Sequence, residues 1–255
     1  MELYKYEGTT LRGTRPVPEL ARLLGRSDSL IEIAYGAQPA AVVIGVPHHA
    51  GPGVEWIAEH SSEGRRVADE NAALYALVCL SALRERAVPS RLLIAAHATD
   101  HDPNKLPDSP YCERLLAGRG LRLVFECHAA GPDAPHSLEL TAGRNRRAQP
   151  LRFARHLIRA LGTGHRLAVQ ARHGSSAAIV FEPDGREQRG KLRYPALRTR
   201  SLVEAEGRGL SALHLEADPR FRTREDGGQA LPTDGAHLGR ALADSIAAYL
   251  NDATD

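Results

Sequence analysis

Lysine, cysteine, tryptophan and long apolar runs are all scarce in this sequence. Lysine occurs only at Lys5, Lys105 and Lys191, so the cationic side chains are almost all arginine. The formal net charge is still only +2, which gives no electrostatic case for nucleic acid or an acidic membrane surface as partner. Cysteine is limited to Cys79, Cys112 and Cys127. An odd number without a CxxC pair argues against a disulfide framework and a thiolate zinc site, and it fits a reducing, cytoplasmic setting. The first residues, Met1-Glu2-Leu3-Tyr4-Lys5-Tyr6-Glu7-Gly8, lack the apolar core of a signal peptide. No apolar run approaches the ~20 residues that a membrane span needs. HExxH, GxSxG and a P-loop are also missing, which sets aside the helical zinc-protease motif, the serine nucleophile elbow and the phosphate-binding loop.

What is present reads as one α/β domain over residues 1–255. A length of 255 residues, 42% hydrophobic and 25% charged, suffices for a substantial core. Strands are predicted over Ser29–Ala34, Ala40–Val46, Arg91–Ala96, Leu121–Phe125, Ser137–Thr141, His165–Ala171, Ala177–Phe181 and Ser211–Leu215. Helices are predicted over Pro18–Leu24, Gly64–Arg86, Pro150–Leu161 and Asp234–Leu250. Residues 184–200 read as a polar surface loop or lid, and Asp226–Thr233 as a loop. Strands alternating with helices indicate a three-layer α/β/α sandwich around a mixed, largely parallel sheet.

Three of the strand-like runs end in histidines: His48 and His49, His97 and His101, and His128. In open α/β sheets the ligand crevice lies at the carboxyl ends of strands, and neutral imidazole is the commonest metal ligand. A catalytic zinc needs three histidine or carboxylate ligands and an open position. It acidifies water and polarises a carbonyl, and amide hydrolysis also needs a carboxylate to move the proton. His49, Asp69 or Glu70, His128 and Glu216 come from separate predicted elements and can supply that set. His48 is the alternative to His49. Each has a structural rival: helix-start carboxylates for Asp69 and Glu70, a core histidine satisfied by Glu126 for His128, and a surface pair with Arg220 or Arg222 for Glu216. Glu126 can also orient His128 from behind.

Pro47-His49-Ala50-Gly51 resembles the Pro-His-(Ser/Ala)-Gly signature of the N-formylglutamate amidohydrolase family, within the zinc carboxypeptidase-like superfamily. Asp69 resembles the family's acidic ligand at a helix start, Asp102-Pro103-Asn104-Lys105 its Asp-x-Asn-Arg segment, and Glu126-Cys127-His128 its Asp-x-His. Leu213-His214-Leu215-Glu216 resembles the late strand that ends in the catalytic glutamate. The order and approximate spacing agree over residues 40–220. The resemblance implies a zinc carboxypeptidase-like (phosphorylase/hydrolase-like) fold and one Zn2+ per chain on His49, Asp69 and His128. It further implies Glu216 as catalytic residue and a small N-acyl amino acid or peptide-like amide as substrate. Lys105 departs from the family's arginine, and an ammonium does not reproduce a bidentate fork. His97 stands where a Ser-Arg pair leads into that segment. Asn104 and Lys105 are candidate substrate contacts, and Arg144, Arg172 and Arg200 candidate partners for a substrate carboxylate. Two other readings stand beside this one: a metal-dependent phosphoesterase built on Asp100-His101-Asp102-Pro103-Asn104, and a non-catalytic anion-binding protein using its arginines.

Overall fold

The computed structural model describes residues 2–6, 9–13, 29–35, 39–50, 55–56, 66–67, 69–96, 103–104, 109–142, 149–162, 164–196, 199–222 and 231–252. The helix expected at Pro18–Leu24 and residues His97, Asp100, His101, Asp102, Lys105 and Arg144 lie outside them. In chain order the elements are β1 (Glu2–Tyr6), β2 (Thr9–Gly13), β3 (Ser29–Tyr35), β4 (Val42–Ala50), β5 (Glu55–Trp56), β6 (Arg66–Val67), β7 (Asp69–Glu70) and α1 (Ala72–Glu85). There follow β8 (Ser90–Ala96), α2 (Pro110–Leu115), β9 (Leu123–Ala129), β10 (Leu138–Ala142), α3 (Pro150–Leu161), β11 (Leu167–Gln170), β12 (Ala177–Phe181) and β13 (Glu187–Lys191). The last are α4 (Arg200–Gly207), β14 (Ser211–Ala217), a 3-10 turn (Pro219–Phe221) and α5 (Thr233–Asn251).

The main sheet runs β13-β12-β11-β10-β14-β9-β4-β8-β3-β1-β2, with β7 beside β4. It is mixed, as expected. Its centre, β8-β4-β9-β14, is parallel, and antiparallel pairings lie on both flanks. The alternation of side chains along a strand separates two apolar layers. Val42, Ile44, Val46, Leu123, Phe125, Cys127, Leu213 and Leu215 pack with α1, α3 and α5 on one face. Val43, Val124 and Ala212 face α2 and α4 on the other. On that second face the alternation also places Glu126, His128, His214 and Glu216. The central strands are near-continuous apolar runs because both their faces are covered.

Gly45 lies on the α2 face of β4. A Cβ there would meet Tyr111 Oη and lie 2.9 Å from Leu115 Cδ1, inside a fully buried layer. Gly45→Ala is therefore expected to destabilise the protein by about 1–3 kcal/mol through overpacking, read from the denaturant midpoint at unchanged slope.

Three departures from the sequence reading have physical causes. The helix expected from Gly64 begins only at Ala72: Asp69 and Glu70 pair as a short strand with His49 and Ala50, and Asn71 turns the chain with a left-handed φ of 58°. The stretch 184–200 is not all loop. Pro183-Asp184-Gly185 turns β12 into β13, whose residues are nearly all exposed, so an edge strand without a buried face shows no apolar alternation. From Arg200 the chain is helical. Finally, β4 does not stop at Val46 but runs through Pro47, His48 and His49 to Ala50. It carries one extra residue against β8 between Val46↔Ile94 and His49↔Ala96. Pro47, which has no N–H for a ladder, falls inside this bulge.

Candidate active site

Adjacent strand residues face opposite sides, and the bulge reverses which of the two histidines takes which face. His49 points to the helix face, where its Nδ1 accepts the Ala73 N–H at 3.2 Å. That N–H belongs to the first turn of α1, whose own N-cap Asn71 gives no side-chain hydrogen bond. His49 is thus an N-cap delivered from another element. Its imidazole is 3% exposed, and burial pushes its pKa down to about 4, against a smaller upward pull from Asp69.

His48 turns to the other face, 5.1 Å from the His128 ring in an edge-on arrangement. Asp69, held beside β4 by the β7 pairing, places Oδ2 2.8 Å from His128 Nδ1 and 3.4 Å from His48 Nδ1. His48, Asp69 and His128 thereby bring three donor atoms within 4.8 Å of one another. The structure brings together His48, not the His49 favoured from sequence, with Asp69 and His128; the extra residue in β4 is the reason.

Glu216 reaches the same place through register. Parallel pairing sets Glu216 opposite His128 and His214 opposite Glu126. Glu216 is 9% exposed and accepts or donates a 2.9 Å hydrogen bond at His214 Nε2. It is buried, so a surface salt bridge does not describe it. His128 stacks on His214 with ring centroids 4.1 Å apart. On its far side His128 Nε2 lies 3.5 Å from Asn104 Nδ2 and 3.8 Å from Glu126 Oε2. Tyr111 Oη donates to Glu126 Oε1 at 3.2 Å.

The electrostatics follow from burial and these pairs. Burial works against the charge on Asp69, but His128 and His48 outweigh it and hold the carboxyl well below its ordinary value. Burial lowers His128, and Asp69 more than reverses that, so His128 titrates well above an ordinary histidine. Burial and the neighbouring His128 push His214 far down. Burial raises Glu216 to about 8, against a downward pull from His128. In the metal-free protein this predicts a fall in stability as pH rises from 7 to 9. A carboxyl raised in the folded state stabilises fully below its unfolded value of about 4.5 and loses that contribution through about 8. His128, raised likewise, adds to the loss on the same side. His49 and His214, both lowered in the folded state, stay about a quarter protonated at pH 7 when unfolded, so they oppose the fall weakly near pH 7 and not above pH 8. Urea midpoints of chelator-treated protein at pH 7, 8 and 9 check this, and a midpoint that rises with pH would contradict it.

Of the candidate substrate contacts, Asn104 is at the cluster; its carbonyl also accepts the N–H groups of Arg200 and Ser201 at the start of α4. Arg200 pairs with Glu204 at 2.5 Å. Arg172 is not brought to the site. It follows the carboxyl end of β11, whose opposite end aligns, through Leu138↔Leu167 and Leu138↔Ala217, with the site end of β14. His214 and Glu139, not singled out as site residues from sequence, also lie beside Glu216. Glu139 faces Glu216 across the β10–β14 pairing and accepts the N–H groups of Arg193 and Tyr194. The signal for both was present, since Glu-x-His, Leu-Glu-Leu and His-x-Glu put a polar residue at every second position of otherwise apolar strands.

No family model matches this sequence, and no curated protein matches it. Among solved structures the fold is similar to a metallo-carboxypeptidase from Burkholderia cenocepacia, with a TM-score of 0.50, 16% identity, and coverage of 90% of this chain and 64% of that one. The chain thus spans less than two thirds of that protein. It is also similar to N-formylglutamate amidohydrolase from Ralstonia eutropha, with a TM-score of 0.51, 12% identity, and coverage of 89% of this chain and 100% of that one. The chain therefore has a zinc carboxypeptidase-like fold.

Proposed function

We propose that this chain is a metal-dependent amide hydrolase, formed as one domain. In this reading it holds one Zn2+ on His48, Asp69 and His128 and acts on a small N-acyl amino acid, N-formylglutamate or a related peptide-like amide. The observation that carries the reading is the convergence of three nitrogen and oxygen donors from β4, β7 and β9 beside a buried glutamate on β14. The donor set fits a zinc ion. Tetrahedral bonds of about 2.0–2.1 Å put ligand atoms roughly 3.3 Å apart, and the Asp69 oxygen lies 3.4 Å and 2.8 Å from its two imidazole partners. Two histidines and a carboxylate, without thiolates, match catalytic rather than closed structural sites.

A bound zinc ion supplies Lewis acidity, acidifying water and polarising the substrate carbonyl. The protein does the rest. Glu216 takes the proton from the attacking water and returns it to the leaving amine. Glu126, with Oε2 3.8 Å behind His128 Nε2, favours a proton on that nitrogen electrostatically and so leaves Nδ1 for the metal. In this reading Asn104, whose Nδ2 lies 3.5 Å from His128 Nε2, also contacts the substrate. Cys79, Cys112 and Cys127 are all free and buried, which fits a cytoplasmic enzyme. Among the described residues no helix is long and apolar enough to cross a membrane.

The test is elemental analysis of purified protein beside a panel of N-formyl and N-acetyl amino acids, short peptides and a phosphomonoester, each with and without chelator. About one zinc per chain and chelator-sensitive turnover of an amide are expected. A protein without zinc, or one that turns over the phosphomonoester and no amide, overturns the proposal.

The two histidines of β4 give a sharper check. His48→Ala is expected to lose zinc. His49→Ala is expected to keep it and to lose about 1–2 kcal/mol of stability with the α1 cap. Zinc occupancy and unfolding midpoints on the two variants decide between them, and the reverse pattern would restore His49 as ligand.

A further inference from the structure

We propose that His214 is the positioning residue of the general base: its imidazole anchors one oxygen of Glu216 while its ring face fixes the plane of His128. The inference deepens the proposed amide hydrolysis and rests on it. Three observations carry it. His214 Nε2 and Glu216 Oε1 are 2.9 Å apart, two residues apart on one strand and on one face. The His214 ring lies over the His128 ring at 4.1 Å, with 28° between planes. Both side chains are enclosed, since His214 is 4% and Glu216 9% exposed. The other nitrogen of His214, Nδ1, is buried and makes no hydrogen bond among the described residues, so the link to Glu216 orients the ring.

The chemistry follows from the geometry. A carboxylate on a strand can rotate about its last bond, and a general base must face the water it deprotonates. A bond to Oε1 removes that rotation and leaves Oε2 to take the proton. Because the same imidazole packs on His128, the base and the ligand are indexed to each other by one rigid ring. Misplacement of a reacting group by about 1 Å can cost 10²-fold, so the arrangement has catalytic consequence without contact between His214 and substrate.

Two substitutions separate the hydrogen bond from the packing. His214→Phe keeps an aromatic ring on His128 and removes the bond. His214→Gln offers an amide N–H to Glu216 and removes the ring. His214→Phe is expected to bind zinc at wild-type stoichiometry and to lose about 10- to 100-fold in kcat with KM nearly unchanged. His214→Gln is expected to recover most of that loss. A third measurement does not depend on turnover. In zinc-free protein, unfolding of His214→Phe, Glu216→Met and the double variant forms a cycle in which each substitution removes the bond, expected to be non-additive by about fivefold in the unfolding constant. If the phenylalanine prevents folding, the pliable His214→Met takes its place in both experiments. Wild-type kcat in His214→Phe, an equal loss in His214→Gln, or an additive cycle each overturns the proposal. If wild-type protein hydrolyses no amide, the functional reading fails, while the cycle still decides whether His214 holds Glu216.

Discussion

His128→Ala is expected to abolish zinc binding and amide hydrolysis together, the largest effect of any single substitution. The residue is the hub of the cluster. Its Nδ1 meets Asp69 at 2.8 Å, its ring face meets His214, and its far nitrogen faces Asn104 and Glu126. Lewis-acid stabilisation is worth several kcal/mol of barrier, so activity should fall by at least about 10³-fold, to background. The fold should survive at reduced stability. Removing one partner of a buried pair costs about 3–5 kcal/mol, and here Asp69 keeps its contact with His48. Elemental analysis, far-ultraviolet circular dichroism and turnover on one preparation are the measurements. Full zinc occupancy in a folded His128→Ala protein would remove His128 from the ligand set.

Glu216→Gln is expected to lower kcat by about 10²–10⁴-fold, the usual contribution of general acid–base catalysis. Zinc content should stay near wild type and KM should change little, because the lost interaction is made in the transition state. Glutamine keeps the shape and can still hydrogen-bond His214, but it cannot accept a proton. Burial holds the Glu216 carboxyl up near 8; a dication on His48, Asp69 and His128 would favour the ionised form that can accept a proton. Steady-state kinetics on the best amide substrate, with metal measured alongside, test this. Near-wild-type turnover would take Glu216 out of the mechanism, and loss of zinc with activity would make it a ligand.

Much of this site was legible in the residues. His128 and Glu216 sit at the carboxyl ends of apolar strands, and strand alternation alone assigns both to one face. Asp69 was legible as a candidate but not as a strand residue. Its helical neighbours suggested an early helix start, and nothing local announces that Asn71 adopts a left-handed turn or that β7 pairs with β4. The choice between His48 and His49 was not legible. A bulge is set by pairing with a partner strand, and Val-Pro-His-His-Ala reads equally well in either phase. Helices α2 and α4 went unread because they are 6 and 8 residues long, too short for a helical period to stand out. The sheet order was beyond the sequence too. Placing β14 between β10 and β9 depends on contacts across more than seventy residues, which no window of periodicity samples.

The extra residue in β4 also bears on how this protein should be aligned with any other. The phase of this strand shifts midway, so a position-by-position match that is correct at Val42 is off by one at His49. Aligned without a gap to a chain whose equivalent strand is regular, the capping histidine would be superposed on the counterpart of the proposed ligand, and its own counterpart would fall in the neighbouring column. A relative carrying a single histidine here would be missing one of two separate duties. Which one is lost depends on whether its strand contains the insertion, so counting histidines in the column cannot tell. The pairing of the strand can.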